Sequence, residues 1–181
     1  MGDDVREQVS MNSTVGETVA TWTAERPDLD FATMETMLRI GLLTRANSAA
    51  SREPLESLGI SLSEFDVLAT LRRHGTRAVL SPTQIARVAM VRPSGLSHRL
   101  GKLESAGLIE RVPDPDDGRG LLVRITAKGR RVADRAVEII VEGHDALFAG
   151  LDPRDLAAFR RVLETVLDNA DRAAGPDRDS L

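Results

Sequence analysis

The stretch that decides the fold is RPSGLSHRLGKLESAGLIERVPDPDDGRGLLVRIT, residues 92–126. Its first half predicts an amphipathic helix, because leucines recur at helical spacing; these are Leu96, Leu100 and Leu103. Pro93 suits the first turn of that helix, where its missing N–H would have no partner. Gly107 suits the left-handed position after the helix end. Two apolar runs follow, 108–112 and 121–125, and the Asp-, Pro- and Gly-rich turn between them predicts a β-hairpin.

The polar face of this predicted helix fits duplex DNA. A helix of this kind enters the major groove, and a hairpin directly behind it reaches the flanking phosphates. The residues predicted to contact DNA from the helix are Arg92, Ser94, Ser97, His98, Arg99 and Lys102. At the hairpin tip, Asp117 can orient the guanidinium of Arg119 through a charge-assisted hydrogen bond. The alternative interpretation is a solvent-exposed polar face that has no partner.

The charges of the chain are divided unevenly. The 181 residues carry a formal net charge of −4, yet residues 81–131 hold ten Lys or Arg against five Asp or Glu. A basic region within an acidic chain is the pattern expected when one surface faces phosphates. A basic surface that serves only solubility is the alternative.

Three segments resemble the winged helix of MarR-type transcription regulators. They are LESAGLIER at 103–111, DPDDGR at 114–119 and ITAKG at 125–129. The resemblance implies that Arg119 enters the minor groove, with Asp117 as its orienting partner. One departure is Gly118, because many members have a second basic residue there, and its absence implies a weaker or more easily bent wing.

The flanking sequence predicts a mainly α-helical chain with a small β-hairpin wing. We expect a disordered tail at 1–14, N-terminal helices at 15–58, a winged helix–turn–helix at 59–126, C-terminal helices at 127–172 and a second tail at 173–181. Capping patterns place helix starts at Ser61, Ser81, Thr126 and Asp152. Pro54 is expected to bend or break the second helix.

The terminal helices carry more apolar surface than a lone winged helix covers. Such surface favours association, and the resemblance implies a homodimer whose N- and C-terminal helices pack together. A two-fold dimer presents two helices to a pseudo-palindromic operator, with half-sites about 34 Å apart. A monomer that folds these helices back on itself is the alternative.

Several classes of protein are disfavoured by composition. The chain has no cysteine, so disulfides, thiolate zinc sites and thiol redox sensors are excluded. The three histidines are scattered, and we expect no metal and no cofactor. No apolar run approaches the length of a membrane span, and no leader precedes the domain, so we expect a cytoplasmic protein that binds no membrane. Motifs typical of enzymes are missing, and we expect no catalytic activity.

A ligand site is predicted from Trp22, Asp66, Arg73 and Arg111. Asp66 and Arg73 are seven residues apart on one predicted helix and therefore share a face. Two guanidinium groups and an indole suit a flat, delocalised anion, because they offer in-plane hydrogen bonds and stacking. A carboxylate beside the bound anion would repel it, and that repulsion can drive motion towards the DNA-binding lobe.

These residues resemble the urate-responsive PecS- and HucR-like branch of the same family. That branch has an extra N-terminal helix with a Trp, and an Asp and an Arg seven residues apart. The resemblance implies a small aromatic anion as ligand, urate or a related purine, or a phenolic acid. It also assigns to Arg99 the relay of ligand binding to DNA.

Other interpretations remain open. Trp22 can be a packing anchor, and Asp66 and Arg73 can form surface ion pairs that add little stability. The sequence predicts a DNA-binding transcription regulator, more a repressor than an activator. Its main rival is a ligand-independent architectural winged-helix protein, and a winged helix that binds only protein is a third possibility.

Overall fold

The computed structural model describes residues 10–75, 78–89, 95–115 and 120–175. The elements are, in order, α1 (Met11–Glu25), α2 (Ala32–Ser57), α3 (Leu62–Arg73), α4 (Pro82–Val88), α5 (Leu96–Ser105), β1 (Ile109–Pro113), β2 (Leu121–Ile125), α6 (Ala127–Leu147) and α7 (Pro153–Ala174). This architecture confirms the predicted fold class. The chain divides into two compact units, Met1–Ala50 and Ser51–Leu181.

The first unit contains α1 and most of α2. The tail predicted for residues 1–14 is wrong from Met11 onward, because the Ser10 hydroxyl accepts a hydrogen bond from the Ser13 N–H over 3.3 Å and closes the first helical turn. Residues 1–9 of that predicted tail lie outside the described residues. At the start of α2, Asp30 Oδ1 accepts from the Ala32 N–H over 2.9 Å.

The second helix does not break at Pro54. It continues to Ser57 and ends in a left-handed Gly59, with a φ of 75°. The Gly59 N–H donates to the Glu56 carbonyl and the Ile60 N–H donates to the Leu55 carbonyl. This is the paired hydrogen-bond pattern that closes many helices at a C-terminal glycine.

One hydrophobic core holds the second unit together. Every element from the end of α2 to α6 contributes to it. Its large, fully buried side chains are Leu55, Val67, Leu68, Leu71, Ile85, Leu100, Leu103, Ile109, Val123 and Ile125. The predicted capping boxes are confirmed, with Ser61 paired to Glu64 at α3 and Ser81 paired to Gln84 at α4.

The hairpin is antiparallel and pairs Ile109 with Ile125 at its base. Leu80 forms an additional bridge with Val123, whose N–H and carbonyl both bond to it, over 2.8 and 3.1 Å. The chain segment ahead of α4 is thereby attached to the hairpin that follows α5.

The junction between α5 and α6 is tightly closed. Gly107 is left-handed, with a φ of 69°, as the sequence predicts. The Leu108 carbonyl accepts from the Thr126 N–H over 3.0 Å and from the Thr126 hydroxyl over 3.1 Å. Gly129 lies against the same carbonyl, so closely that a Cβ atom there would overlap it.

The C-terminal helices bury less of their apolar surface. Only small residues of α6 lie in the core, Gly129, Ala133 and Ala136, and α7 has no buried residue. Larger apolar side chains of these two helices and of the turn between them are exposed, namely Val137, Val141, Leu147, Leu151, Phe159, Val162, Val166 and Leu167. Within the described ranges, none of the helices combines the length and apolarity that crossing a bilayer requires.

The close approach at Gly129 leads to a stability prediction. We expect Gly129→Ala to lower the free energy of unfolding by about 2 kcal/mol, because the new methyl group overlaps backbone rather than a flexible side chain. Gly143→Ala on the same helix is the matched control, since a Cβ there meets nothing within 4 Å. The control should change stability by no more than about 1 kcal/mol, in the stabilising direction. Denaturant unfolding of both variants checks this, and equal stabilities would contradict it.

Candidate nucleic-acid interface and anion-binding cluster

The solvent face of α5 remains uncovered within the second unit. Ser97, His98 and Lys102 are exposed, while the opposite stripe of leucines is buried. The helix begins after Gly95, whose φ is 103°. Pro93, which the sequence places in the first turn, lies outside the described residues. The exposed face therefore has the shape and chemistry of a helix that enters a groove.

Lys102 lies on this face, and its ammonium group is exposed but has an acidic neighbour. Its Nζ is 3.9 Å from Glu64 Oε1, and 61% of its side chain is exposed. Glu64 is itself buried, and its other carboxylate oxygen accepts hydrogen bonds from the N–H and the hydroxyl of Ser61 over 2.7 and 2.8 Å. The capping carboxylate of α3 thus lies beside a cation of α5, a contact that sequence spacing did not predict.

Arg99 differs from the other polar residues of α5. It is half-buried, and its guanidinium folds over the start of its own helix, within 4 Å of where a Cβ of Gly95 would be. Its Nη1 is buried and has no hydrogen-bond partner among the described residues. A buried guanidinium nitrogen without an acceptor is costly, and it is a ready donor for an anion.

Asp66 is the acidic neighbour of this guanidinium. Burial raises the pKa of the Asp66 carboxyl above its usual range, although the positive charges of Arg99 and Arg73 both oppose that rise. The charges of Arg73 and Arg99 therefore both act on Asp66, and we call these three residues the charged cluster. It combines one residue from the DNA-binding prediction with two from the ligand prediction. Arg99 follows Leu96 by three residues, a spacing that signals its place beside the buried stripe.

Arg73 has a specific hydrogen bond within the cluster region. Its Nη2 donates to the carbonyl oxygen of Val88, the last residue of α4, over 2.8 Å. The side chain is otherwise exposed at the end of α3. One guanidinium therefore contacts the end of the first helix of the helix–turn–helix and also acts on the Asp66 carboxyl.

Arg111, a predicted ligand-site residue, pairs with an acidic side chain of α5, and its role in a ligand site stays a prediction. Its Nε lies 3.2 Å from Glu104 Oε2, which forms an ion pair between β1 and the last turn of α5. The arginine whose charge opposes the Asp66 pKa rise, beside Arg73, is Arg99. The sequence resemblance assigns to Arg99 a relay between the ligand site and DNA, and that role also stays a prediction.

Trp22 belongs to the first unit, where 49% of the residue is exposed. Its ring centre lies 6.2 Å from that of Phe31, across the loop between α1 and α2. Its role in a ligand site stays a prediction. Arg92, Ser94, Asp117 and Arg119 lie outside the described residues, and their predicted contacts with DNA also stay predictions.

An open cleft of about 560 Å³ lies elsewhere, between α4 and the half of the hairpin that is nearer its tip. Thr83, Gln84, Arg87 and Asp114 contribute its polar lining. None of the three charged cluster residues lines it. No group of three or more acidic or histidine side chains in the described part of the chain is arranged to hold a metal ion.

These features define a winged helix–turn–helix protein, in which α4 and α5 form the helix–turn–helix and β1 and β2 form the wing. The sequence description of the MarR family matches residues 58–120. The chain is 36% identical over 155 residues to the HTH-type transcriptional regulator PecS of Dickeya dadantii, an alignment that covers 84% of this chain and 92% of PecS. The chain belongs to the MarR family of transcription regulators.

Solved structures agree with this assignment. A mutant MarR from Escherichia coli complexed with operator DNA is 27% identical, with a TM-score of 0.65, and the match covers 76% of this chain and 97% of that one. A MarR-family regulator from Silicibacter pomeroyi is 29% identical, with a TM-score of 0.60 and coverage of 77% and 90%. The predicted family and winged-helix fold are thus confirmed.

The raised pKa of Asp66 predicts a dependence of stability on pH. A carboxyl whose pKa is higher in the folded chain holds its proton more tightly there, so stability falls as pH rises from the unfolded value, about 3.9, to the folded value. Asp66→Asn removes that fall. We therefore expect the unfolding free energy of Asp66→Asn minus that of the wild type to increase with pH across this window and to level off above it.

Thermal and denaturant unfolding between pH 4 and pH 7 measure this difference. Asp145→Asn, at an exposed position of α6, controls for the loss of one carboxylate. A difference for Asp66→Asn that shrinks with rising pH would show that the two arginines outweigh burial.

Proposed function

We propose that this protein is a cytoplasmic, homodimeric repressor that binds a pseudo-palindromic operator and is released by a small aromatic anion such as urate. The observation that carries the DNA-binding part is the exposed polar face of α5, backed by a buried leucine stripe. The similarity to a MarR structure complexed with operator DNA supports the same mode of binding. Arg119 and Asp117 at the wing tip are included in this proposal on the strength of the sequence resemblance.

The homodimer rests on the apolar side chains that α6 and α7 leave exposed. Val162 and Leu167 are each at least 60% exposed. The ring centres of Phe148 and Phe159 lie 6.3 Å apart. Apolar surface on this scale favours burial against another chain. A two-fold dimer then presents two copies of α5 to successive turns of one face of the duplex.

The ligand part rests on the charged cluster. The buried Nη1 of Arg99, which has no hydrogen-bond partner in the described part of the chain, and the exposed guanidinium of Arg73 offer N–H donors to a planar anion. The charges of both arginines act on the Asp66 carboxyl, so an anion that binds them repels the Asp66 carboxylate. Because Arg99 belongs to α5, this repulsion acts next to the helix that reads DNA.

A mobility-shift assay tests the function as a whole. A duplex selected from random sequence serves as operator, and the complex is challenged with urate, xanthine, a phenolic acid and buffer alone. A specific repressor keeps one palindromic site against excess non-specific DNA and releases it with the active anion. A protein that non-specific DNA removes completely would be an architectural binder instead.

The exposed ammonium of Lys102 leads to a prediction on salt dependence. We expect Lys102→Ala to weaken binding to all duplexes and to lower the slope of log affinity against log salt by about 2 for a dimer, since each phosphate contact contributes about 0.9. Arg135→Ala removes a similar charge from α6, where it already pairs with Glu138 over 2.8 Å, and should leave the slope unchanged. Arg119→Ala in the same assay tests the wing contact. An unaltered slope in Lys102→Ala would rule out phosphate neutralisation by this residue.

The repulsion argument leads to a prediction on ligand response. We expect Asp66→Asn to bind urate at least as tightly as the wild type but to need more urate to release the operator, because the neutral amide is not repelled. Calorimetry measures binding, and release is compared with each protein's own ligand-free affinity. The single tryptophan, in a chain without tyrosine, reports in parallel whether the ligand alters the surroundings of Trp22. Unchanged release by urate in Asp66→Asn would contradict the proposed role of the carboxylate.

A further inference from the structure

We propose that Arg73 is a positioning residue of the helix–turn–helix: its guanidinium closes the C-terminal end of α4, and an anion that captures it loosens that end. The first half of this inference stands on the contact between Arg73 and Val88 alone. The second half rests on the proposed anion site.

The helix that Arg73 closes is short. α4 has seven residues, and a helix of this length is not stable on its own. The carbonyl groups of its last turn have no partner within the helix. The core holds α4 through one fully buried side chain, Ile85, so the few polar contacts at its ends matter.

The two ends of α4 are closed differently. At the start, Ser81 and Gln84 form a capping box within the helix itself. At the other end, Ala89 donates its N–H to the Ile85 carbonyl over 2.8 Å, and the Val88 carbonyl accepts from Arg73 of α3. A guanidinium at a helix C-terminus also compensates the partial negative charge there.

α3 is a firm base for this contact. Val67, Leu68 and Leu71 are fully buried, so the backbone that carries Arg73 is held by the core. The guanidinium therefore fixes the end of α4 against α3. The next element of the chain after that end is α5.

An anion and the Val88 carbonyl compete for the same guanidinium. Nη2 of Arg73 directs one of its two N–H groups at Val88, and bidentate binding of a planar anion fixes the direction of the whole guanidinium. A ligand that turns the guanidinium towards itself leaves the carbonyl without its cap. Such a ligand binds better to the state in which the end of α4 is loose, and it shifts the population towards that state.

The test uses the full chain without ligand first. We expect Arg73→Ala to lower operator affinity roughly 3- to 10-fold, since a hydrogen bond to a charged group is lost. It should also speed hydrogen exchange of the Ala89 amide. Arg72→Ala is the matched control: Arg72 is the preceding residue of α3, and its guanidinium pairs with Asp134 of α6 over 2.7 Å instead. That control should leave both quantities at wild-type values.

Arg73→Lys separates positioning from general damage to the fold. A lysine donates one hydrogen bond and keeps the charge, so it should recover most of the affinity and exchange protection lost in Arg73→Ala. It lacks the planar pair of donors and should not recover release by urate. In the wild type, urate itself should speed exchange at Ala89, and in Arg73→Ala it should add nothing.

Two results tell the inference and the proposed function apart. Wild-type exchange at Ala89 and wild-type operator affinity in Arg73→Ala would overturn the positioning role, even if urate releases the wild type. Weaker operator binding and faster exchange at Ala89 in Arg73→Ala, with no response of the wild type to any anion, would support the positioning role and overturn the proposed ligand.

Discussion

The junction between α5 and α6 is built around one backbone carbonyl, that of Leu108. It accepts the N–H and the hydroxyl of Thr126, and Gly129 packs directly against it. Because Leu108 follows the glycine that ends α5, and Thr126 caps α6, this contact joins the two helices at the base of the hairpin. The Lys128 ammonium adds a bond to the Ala106 carbonyl over 2.8 Å. α5 therefore moves with α6, and the position of α6 helps to fix the direction of α5.

The charged cluster is the exception in a unit otherwise held by apolar packing. Placing Asp66 in a partly buried position raises its pKa, and Arg99 Nη1 is buried without an acceptor among the described residues. Both features lower stability, so neither is explained by folding. They lie where α3 meets the helix–turn–helix. In the proposed function, an anion that accepts hydrogen bonds from these donors offsets that cost, which is the property that a sensor requires.

Local signals in the sequence predicted most of the fold, and they failed where long-range packing decides. Capping residues such as Ser61 and Thr126 act within one turn, so their positions were correct. The ion pair between Arg111 and Glu104 was not predicted, because it depends on how β1 leaves α5. The buried residues of α6 are a glycine and two alanines, which hydrophobic periodicity does not distinguish, while Val132 and Ile140 pack against the core only partly buried. The partial burial of Arg99 could have been predicted from its helical spacing, since it follows Leu96 by three residues.

The division of apolar surface on α6 connects these observations. Ala133 and Ala136 allow α6 to approach the core closely, while Val137 and Val141 remain exposed on other sides of the helix. In the proposed dimer those larger side chains hold the second copy, so the helix that sets the direction of α5 also sets the distance between the two copies of α5. The Leu108 contact makes the connection between α6 and α5 rigid. The more easily altered connection runs through α4, which is short and is attached at its end by a single guanidinium. The proposed ligand is small and supplies limited binding free energy, so it would act most effectively on the end of α4.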